Sequence, residues 1–462
     1  MGDDVIAALT AALGADSVRT GAAIAARNQA DSSGLAPVLP RAVILPRSTD
    51  QVAVALRLCL AAGQPVVPQG GMTGLAGGAH PGPAEIALSL ERMVGVEEVD
   101  AVGGTLTALA GTPLETVQTA AEAAGFLLGV DLGARGSCTV GGVVATNAGG
   151  NQVLRYGMTR ANLRGLEVVL ADGRVIRTPG KMLKNNTGYD WTQLFIGSEG
   201  TLGIVTRATF LLHPRPAQRD SALVRVADTA AALDLLRDLG ARLPAGLLVY
   251  EAMWQEFYEI AIGPMGRSGP FPPGPGLCLL IEAPGYGDGA EVGLTEALAA
   301  NLDRGVISDA VIARSEADRL GFWALRESVY EHNRHFPPTI GFDISIPLDA
   351  MAAAVDQLRA RITARFPGQP WVVFGHLADC NLHVNLMATP DHRKAIEDTV
   401  YGVVADFAGS VSAEHGIGRL KAPYLALTRS PAEIQLMAGI KALLDPRGIL
   451  SPGRVLPPPA GG

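Results

Sequence analysis

Two short stretches of this 462-residue sequence carry groups that could hold a divalent metal. In GHLADCNLHVN, residues 375–385, His383 and Asn385 are two apart in an extended run, so both side chains face one side of a strand. His376 lies seven residues before His383, and an unbroken strand would send the two imidazoles to opposite faces. The intervening Ala378-Asp379-Cys380-Asn381 must therefore turn or bulge for them to converge. The second stretch is SAEHGIG, residues 412–418, in which Glu414 and His415 precede Gly416. Two imidazole nitrogens and one carboxylate oxygen make a zinc donor set with open positions, as in catalytic rather than structural sites. There is no HExxH helix of the metalloprotease kind. A lone histidine is more often structural or exposed than a ligand, and His80, His213, His332, His335 and His392 are read that way. Cys380 is expected to point away from the histidines.

Glycine clusters supply a second chemistry. PQGGMTGLAGG, residues 68–78, follows a predicted strand and could curl into a nest of backbone N–H groups around a pyrophosphate. It lacks the P-loop lysine, and no GxGxxG opens a helix in a Rossmann setting. Read alone, it is either such a nest or a glycine-rich turn. DLGARGSCTVGGVVATNAGG, residues 131–150, shifts the balance, because a core has little use for so many exposed amides. A long cofactor lying along the backbone does.

The elements that would position these groups alternate. Residues 41–45 predict a strand. Ser48-Thr49-Asp50-Gln51 has the S-x-x-Q capping pattern, and Val52, Ala55, Leu56 and Cys59 give helical spacing to about Ala62. Pro65–Pro68 is a second strand. Asp172-Gly173 joins strands over 166–170 and 174–178 as a hairpin. Residues 201–212 are extended, and His213-Pro-Arg-Pro216 marks a domain boundary. Beyond it come an amphipathic helix at 228–239, a Pro/Gly loop at 263–276 and a helix at 349–366 with Asp349 as its cap. The tail from Pro457 is expected to be disordered. The fold class is α/β or α+β.

Composition bounds the rest. A net charge of −8 without a basic block argues against a nucleic-acid partner. The four scattered cysteines form no CxxC pair and no disulfide framework, which fits a reduced cytoplasmic protein. No apolar run approaches a membrane span, and the acidic start lacks a secretory n-region.

Taken together, PQGGMTGLAGG, GSCTVGGVVATNAGG, RYG at 155–157, GSEGTLGIVT at 197–206, GHLADCNLHVN, SAEHGIG and DPRGILSPGRVL at 445–456 closely resemble the FAD-linked D-lactate, glycolate and D-2-hydroxyglutarate dehydrogenases. The resemblance spans about residues 40–456. It implies an α+β flavoprotein of the vanillyl-alcohol-oxidase type: an FAD domain over 1–216, an α+β substrate and metal domain with an antiparallel sheet over 217–420, and a C-terminal segment, 421–462, packing back on the FAD domain. It implies that Pro68, Gly70, Gly71, Met72, Thr73 and Gly74 hold the pyrophosphate. Ser137, Gly141, Gly142, Ala145, Asn147 and Ile204 or Val205 would line the rest. Met72 departs from the Asn of many members. With no His in this loop, FAD is expected to be non-covalent.

The resemblance also places the metal, zinc or another divalent ion, on His376, His383 and Glu414. Such an ion would lower the substrate hydroxyl pKa and orient the C–H bond toward flavin N5. His415 is the candidate base for the hydroxyl proton. Arg326 matches the arginine that pairs with the substrate carboxylate, and Asn385 lines the same site. Where D-2-hydroxyglutarate enzymes have Thr and Lys, this chain has Tyr330 and Gly341, which favours a D-2-hydroxy monocarboxylate such as D-lactate or D-mandelate. Arg334 could replace the lost charge, leaving D-2-hydroxyglutarate as the alternative. An oxidase and a flavin subunit of a larger complex are the competing readings. An electron acceptor (quinone, dye, flavoprotein or cytochrome) is required. A homodimer and peripheral membrane docking stay open.

Overall fold

The computed structural model describes residues 2–457 apart from 179, 217, 244–245, 286–292 and 337. Most of the PPPAGG tail, expected to be disordered, lies outside these residues. The chain forms two compact units: Met1–Gly150, Tyr156–Arg215 and Glu414–Gly462 make the first, and Asn151–Arg155 with Pro216–Ala413 make the second.

The first unit contains strands β1 (Val18–Arg19), β2 (Ala42–Ile44), β3 (Val66–Gln69), β4 (Ile86–Ser89), β5 (Val96–Asp100), β6 (Thr105–Leu109), β7 (Phe126–Leu128), β8 (Leu163–Val169), β9 (Val175–Arg177) and β10 (Ile204–Pro214). β2 and β3 both pair in parallel with β4, and β1 pairs antiparallel with β2. Helix α1 (Thr49–Ala62) joins β2 to β3 and buries Val52, Ala55, Leu56 and Cys59. Its entry is fixed by the Ser48 side chain, which accepts Gln51 N–H, a cap worth about 1 kcal/mol. The return bond of the expected box goes instead from Arg47 N–H to Gln51 Oε1, 2.7 Å. The second sheet runs β5-β6-β10-β8-β9 with antiparallel pairing throughout. Its β8/β9 hairpin turns at Asp172-Gly173 as predicted, with Gly173 N–H on Leu170 O. A short helix, α2 (Val140–Ala145), carries the second glycine cluster.

The first unit resumes at Glu414, earlier than position 421. The cause is local: Arg419 and Leu420 N–H both donate to Ala76 O, and Val455 N–H donates to Gly418 O. Farther on, Val66 N–H donates to Ile449 O and Ser451 N–H to Val66 O, so DPRGILSPGRVL lies along β3.

The second unit is one antiparallel sheet, β14-β11-β13-β12-β16-β17-β15. Its strands are β11 (Gln218–Val226), β12 (Val249–Trp254), β13 (Leu277–Gly285), β14 (Asp309–Ile312), β15 (Thr339–Ser345), β16 (Trp371–His376) and β17 (Asn381–Met387). Helices α3 (Thr229–Arg242), α4 (Glu316–Arg326) and α5 (Met351–Arg365) belong to this unit. α3 is capped by Asp228, whose side chain accepts Ala231 N–H at 2.8 Å. The cap predicted for α5 fails. Leu348–Ala350 already form a 3-10 turn, so Asp349 lies inside the helical path and Ala350 takes the cap position without a side-chain bond. Among the described residues no helix is long and apolar enough to cross a membrane.

Candidate active site

In the first unit the two glycine clusters meet. A Cβ on Gly71 would stand 2.0 Å from Ser137 O, and one on Gly70 2.5 Å from Thr139 Oγ1. Only glycine allows this approach. Thr139 Oγ1 is itself buried without a hydrogen-bond partner, which leaves a polar atom at the junction for a ligand. Gly141 N–H is anchored on Ala110 O, 2.7 Å, holding α2 against the same junction. Met72 adopts φ +60°, a conformation Asn enters more readily than Met, so the departure falls on a backbone-shaping position. Its carbonyl accepts Ser32 N–H at 3.1 Å. Pro68 is the last but one residue of β3, and Thr73 and Gly74 lie in the loop beyond it. Asn147, also left-handed at φ +49°, accepts Arg160 N–H on Oδ1. Ala145 O accepts Glu199 N–H, whereas Gly142 O accepts Thr146 N–H. Ile204 and Val205 bury their side chains in the two cores of this unit, so only their backbone could touch a cofactor. A small-residue cradle with an orphaned hydroxyl fits a pyrophosphate-containing cofactor.

The His415 turn belongs to the same unit. Glu414 Oε1 accepts Gly150 N–H at 3.1 Å. Gly416 has φ +78°, and a Cβ there would come within 2.8 Å of the Glu199 carboxylate. That carboxylate accepts Ile417 and Gly418 N–H at 2.7 and 2.8 Å. Burial pushes the Glu199 pKa up to about 7, against the opposing pull of these two amides. Glu199 thus ties the segment after His415 to the GSEGT loop. Sequence reasoning gave it no role, although a carboxylate inside a glycine-rich loop is a visible signal.

In the second unit the sheet gathers the remaining groups on one face. β16 and β17 are joined by the 3-10 turn Leu377–Asp379 with Cys380 at φ +72°. This is the turn the histidine spacing demanded, and the His376 and His383 ring centroids lie 5.5 Å apart. Cys380 sits in the turn, off both strands. The register pairs His383 with Asp343, Asn385 with Gly341 and His376 with Glu251, so their side chains share a face. Asp343 Oδ1 is 4.0 Å from His383 Nδ1, and Glu251 Oε1 bonds His376 Nδ1. His376, oriented by a carboxylate through one nitrogen, presents the other outward, a pattern suited to a metal ligand.

Arg326 ends α4 and is buried, with Nε–H donating to Glu251 Oε2 at 2.7 Å. Its guanidinium carbon lies 4.6 Å from the Phe374 ring centroid. α4 is held at three points of one stripe: Arg319 and Trp323 donate to Glu282, and Arg326 to Glu251. Burial raises the Glu251 pKa, but His376 and Arg326 outweigh it and hold the carboxyl down to about 2. Tyr330 lies just beyond α4 and is 73% exposed. Glu251 and Asp343 were missed at the level of sequence. Glu251 is the one charge in the buried strand VYEAMW, a signal in itself.

Comparison with known proteins identifies the family. The FAD binding domain model matches residues 40–179, and the FAD linked oxidases, C-terminal domain model matches 215–455. Mitochondrial D-2-hydroxyglutarate dehydrogenase of Bos taurus is 41% identical over 90% of this chain and 77% of its own. D-2-hydroxyglutarate dehydrogenase of Xanthomonas citri is 38% identical over 90% of this chain and 89% of its own. A Schizosaccharomyces pombe protein, provisionally named a mitochondrial D-lactate dehydrogenase, is 34% identical over 88% and 80%. Alkyldihydroxyacetonephosphate synthase shares the fold, with TM-score 0.70 at 17% identity over 98% of this chain and 85% of that one. The chain belongs to the FAD-linked D-2-hydroxy-acid dehydrogenase family and is an FAD-dependent oxidoreductase.

Proposed function

We propose that this enzyme oxidises a D-2-hydroxy monocarboxylic acid to the 2-oxo acid, with dissociable FAD and a divalent metal, zinc by preference, on His376, His383 and Glu414. The observation that carries the metal and substrate reading is the shared face of His376, His383, Asn385 and the Glu251–Arg326 pair. Bound FAD supplies a hydride acceptor at N5, and a bound metal supplies a Lewis acid that lowers the hydroxyl pKa. Arg326 pairs with the substrate carboxylate through its terminal nitrogens. Asn385 orients the hydroxy acid beside it. His415 takes the hydroxyl proton on an imidazole nitrogen as C2 gives up its hydride.

The preference for a monocarboxylate rests on charge. Gly341 brings no cation to the face it shares with Asn385. Arg334, which could replace it, is exposed and faces Glu331 at 3.8 Å. A desolvated distal carboxylate without a partner costs several kcal/mol. About 3 kcal/mol corresponds to roughly a hundredfold in kcat/KM. The exposed Tyr330 ring offers apolar contact to a methyl or phenyl group. A dye-reduction screen tests this: D-lactate or D-mandelate should exceed D-2-hydroxyglutarate in kcat/KM, and the reverse order overturns the monocarboxylate reading. That second reading, D-2-hydroxyglutarate itself, is favoured by the names of the bovine and Xanthomonas relatives.

A further inference from the structure

We propose that Glu251 is a positioning residue that aligns the metal ligand His376 and the substrate-binding Arg326 with a single carboxylate. This rests on the reading of those two residues given above. The proposal starts from an oddity of sequence: Glu251 is the one ionisable carboxylate in an otherwise apolar or aromatic strand whose every residue is buried. A buried charge is tolerated only when its oxygens are well partnered. Both are. Oε1 accepts the His376 Nδ1–H, and Oε2 accepts the Arg326 Nε–H at 2.7 Å.

The two bonds decide which atoms remain for chemistry. With its proton held on Nδ1, His376 keeps a lone pair on Nε2, the form a metal requires. With Nε–H engaged, Arg326 presents its two terminal nitrogens, the pair that grips a carboxylate in a fork. The Phe374 ring, 4.6 Å from the guanidinium carbon and 5.0 Å from the His383 ring, backs both groups. Register makes the arrangement rigid, because Glu251 and His376 are direct cross-strand partners on β12 and β16. Neither Gln nor a shorter acid serves both neighbours as fully as Glu does. Gln has one acceptor oxygen, and Asp falls short by a methylene.

The test compares wild type, Glu251→Gln, Glu251→Asp and His376→Ala, each purified with FAD, stripped of metal and titrated with zinc against a competing chelator. KM and kcat are then measured for the D-2-hydroxy acid that the wild type turns over fastest. Glu251→Gln should bind zinc about 10–100-fold more weakly, the usual effect of losing such an outer carboxylate. Its KM should rise roughly tenfold as the arginine loses its anchor, with FAD content unchanged. Glu251→Asp should recover part of both losses. If Glu251→Gln does not accumulate as folded yellow protein, Glu251→Asp decides alone, with zinc affinity and KM both worsened several-fold. Zinc affinity and KM at wild-type values in the Glu251 variants, while His376→Ala loses zinc, overturn the positioning role and leave the metal reading intact. A change in only one of the two quantities overturns the shared role. Unaltered zinc binding in His376→Ala overturns the metal reading and this proposal with it.

Discussion

Glu251 in the second unit and Glu199 in the first are both buried carboxylates, and burial alone raises a carboxyl pKa. Their environments answer that pressure in opposite ways. Around Glu251, burial is outweighed by His376 and Arg326, and the group is held down to about 2. Around Glu199, burial prevails over the Ile417 and Gly418 amides and the more distant Lys421 and Arg454, and the group rises to about 7. The partners make the difference: side chains from a strand and a helix end in one unit, backbone N–H groups of glycine-rich loops in the other. Strands deliver side chains with fixed register, which suits the proposed alignment of a metal, a carboxylate and a hydroxyl. Loops deliver amides, which suits a cofactor read along its length.

Perturbing each unit separately should separate the two kinds of chemistry. The largest effect is expected from metal removal, which acts on the ligand set and leaves the glycine cradle intact. EDTA should abolish turnover with FAD still bound, and zinc or another divalent ion should restore it. Full activity in a verified metal-free sample contradicts the metal reading. Next, His415→Ala or His415→Asn should lower the rate of flavin reduction by roughly 10²–10⁴-fold, the range of a general base, with FAD and metal retained. Loss of metal in that variant would make His415 a ligand instead. Gly341→Lys adds the missing cation to the strand face. A Cβ there lies 3.0 Å from Asn385 Oδ1, so that side chain must shift by a few tenths of an ångström. The ratio of kcat/KM for D-2-hydroxyglutarate over D-lactate should rise about tenfold or more. An unchanged ratio shows that Gly341 does not set specificity.

The smallest effect concerns stability and separates the carboxylates directly. Glu251 titrates in the folded state at about 2, below the ordinary 4.5, so its contribution is present above about 4.5 and is lost as pH falls toward 2. Glu199 titrates at about 7, above 4.5, so its contribution is full below about 4.5 and is lost as pH rises toward 7. Glu199→Gln should therefore flatten the change in Tm between those two pH values, by roughly 1–3 °C. Identical wild-type and variant profiles would show that Glu199 is not perturbed.

Much of this was legible in the residues because the signals are local. Ser48 capping its helix, the Asp172-Gly173 hairpin and the turn forced between His376 and His383 each depend on a few neighbouring positions. The Asp349 cap failed because a 3-10 turn begins before it. Glu251 and Glu199 were passed over because their partners, 75 and 125 residues away for Glu251 and 218 and 219 for Glu199, are brought to them only by the fold. Gly71 could be called a close-approach glycine from its motif, but not that Ser137 is what it approaches.

The most direct measurement is anaerobic mixing of the purified, zinc-loaded yellow protein with the two enantiomers of lactate while flavin absorbance is followed. The D-enantiomer should bleach the flavin in a single turnover and yield pyruvate, and the L-enantiomer should leave it oxidised. Bleaching by L-lactate, or by neither enantiomer nor any other D-2-hydroxy acid, would contradict the assignment.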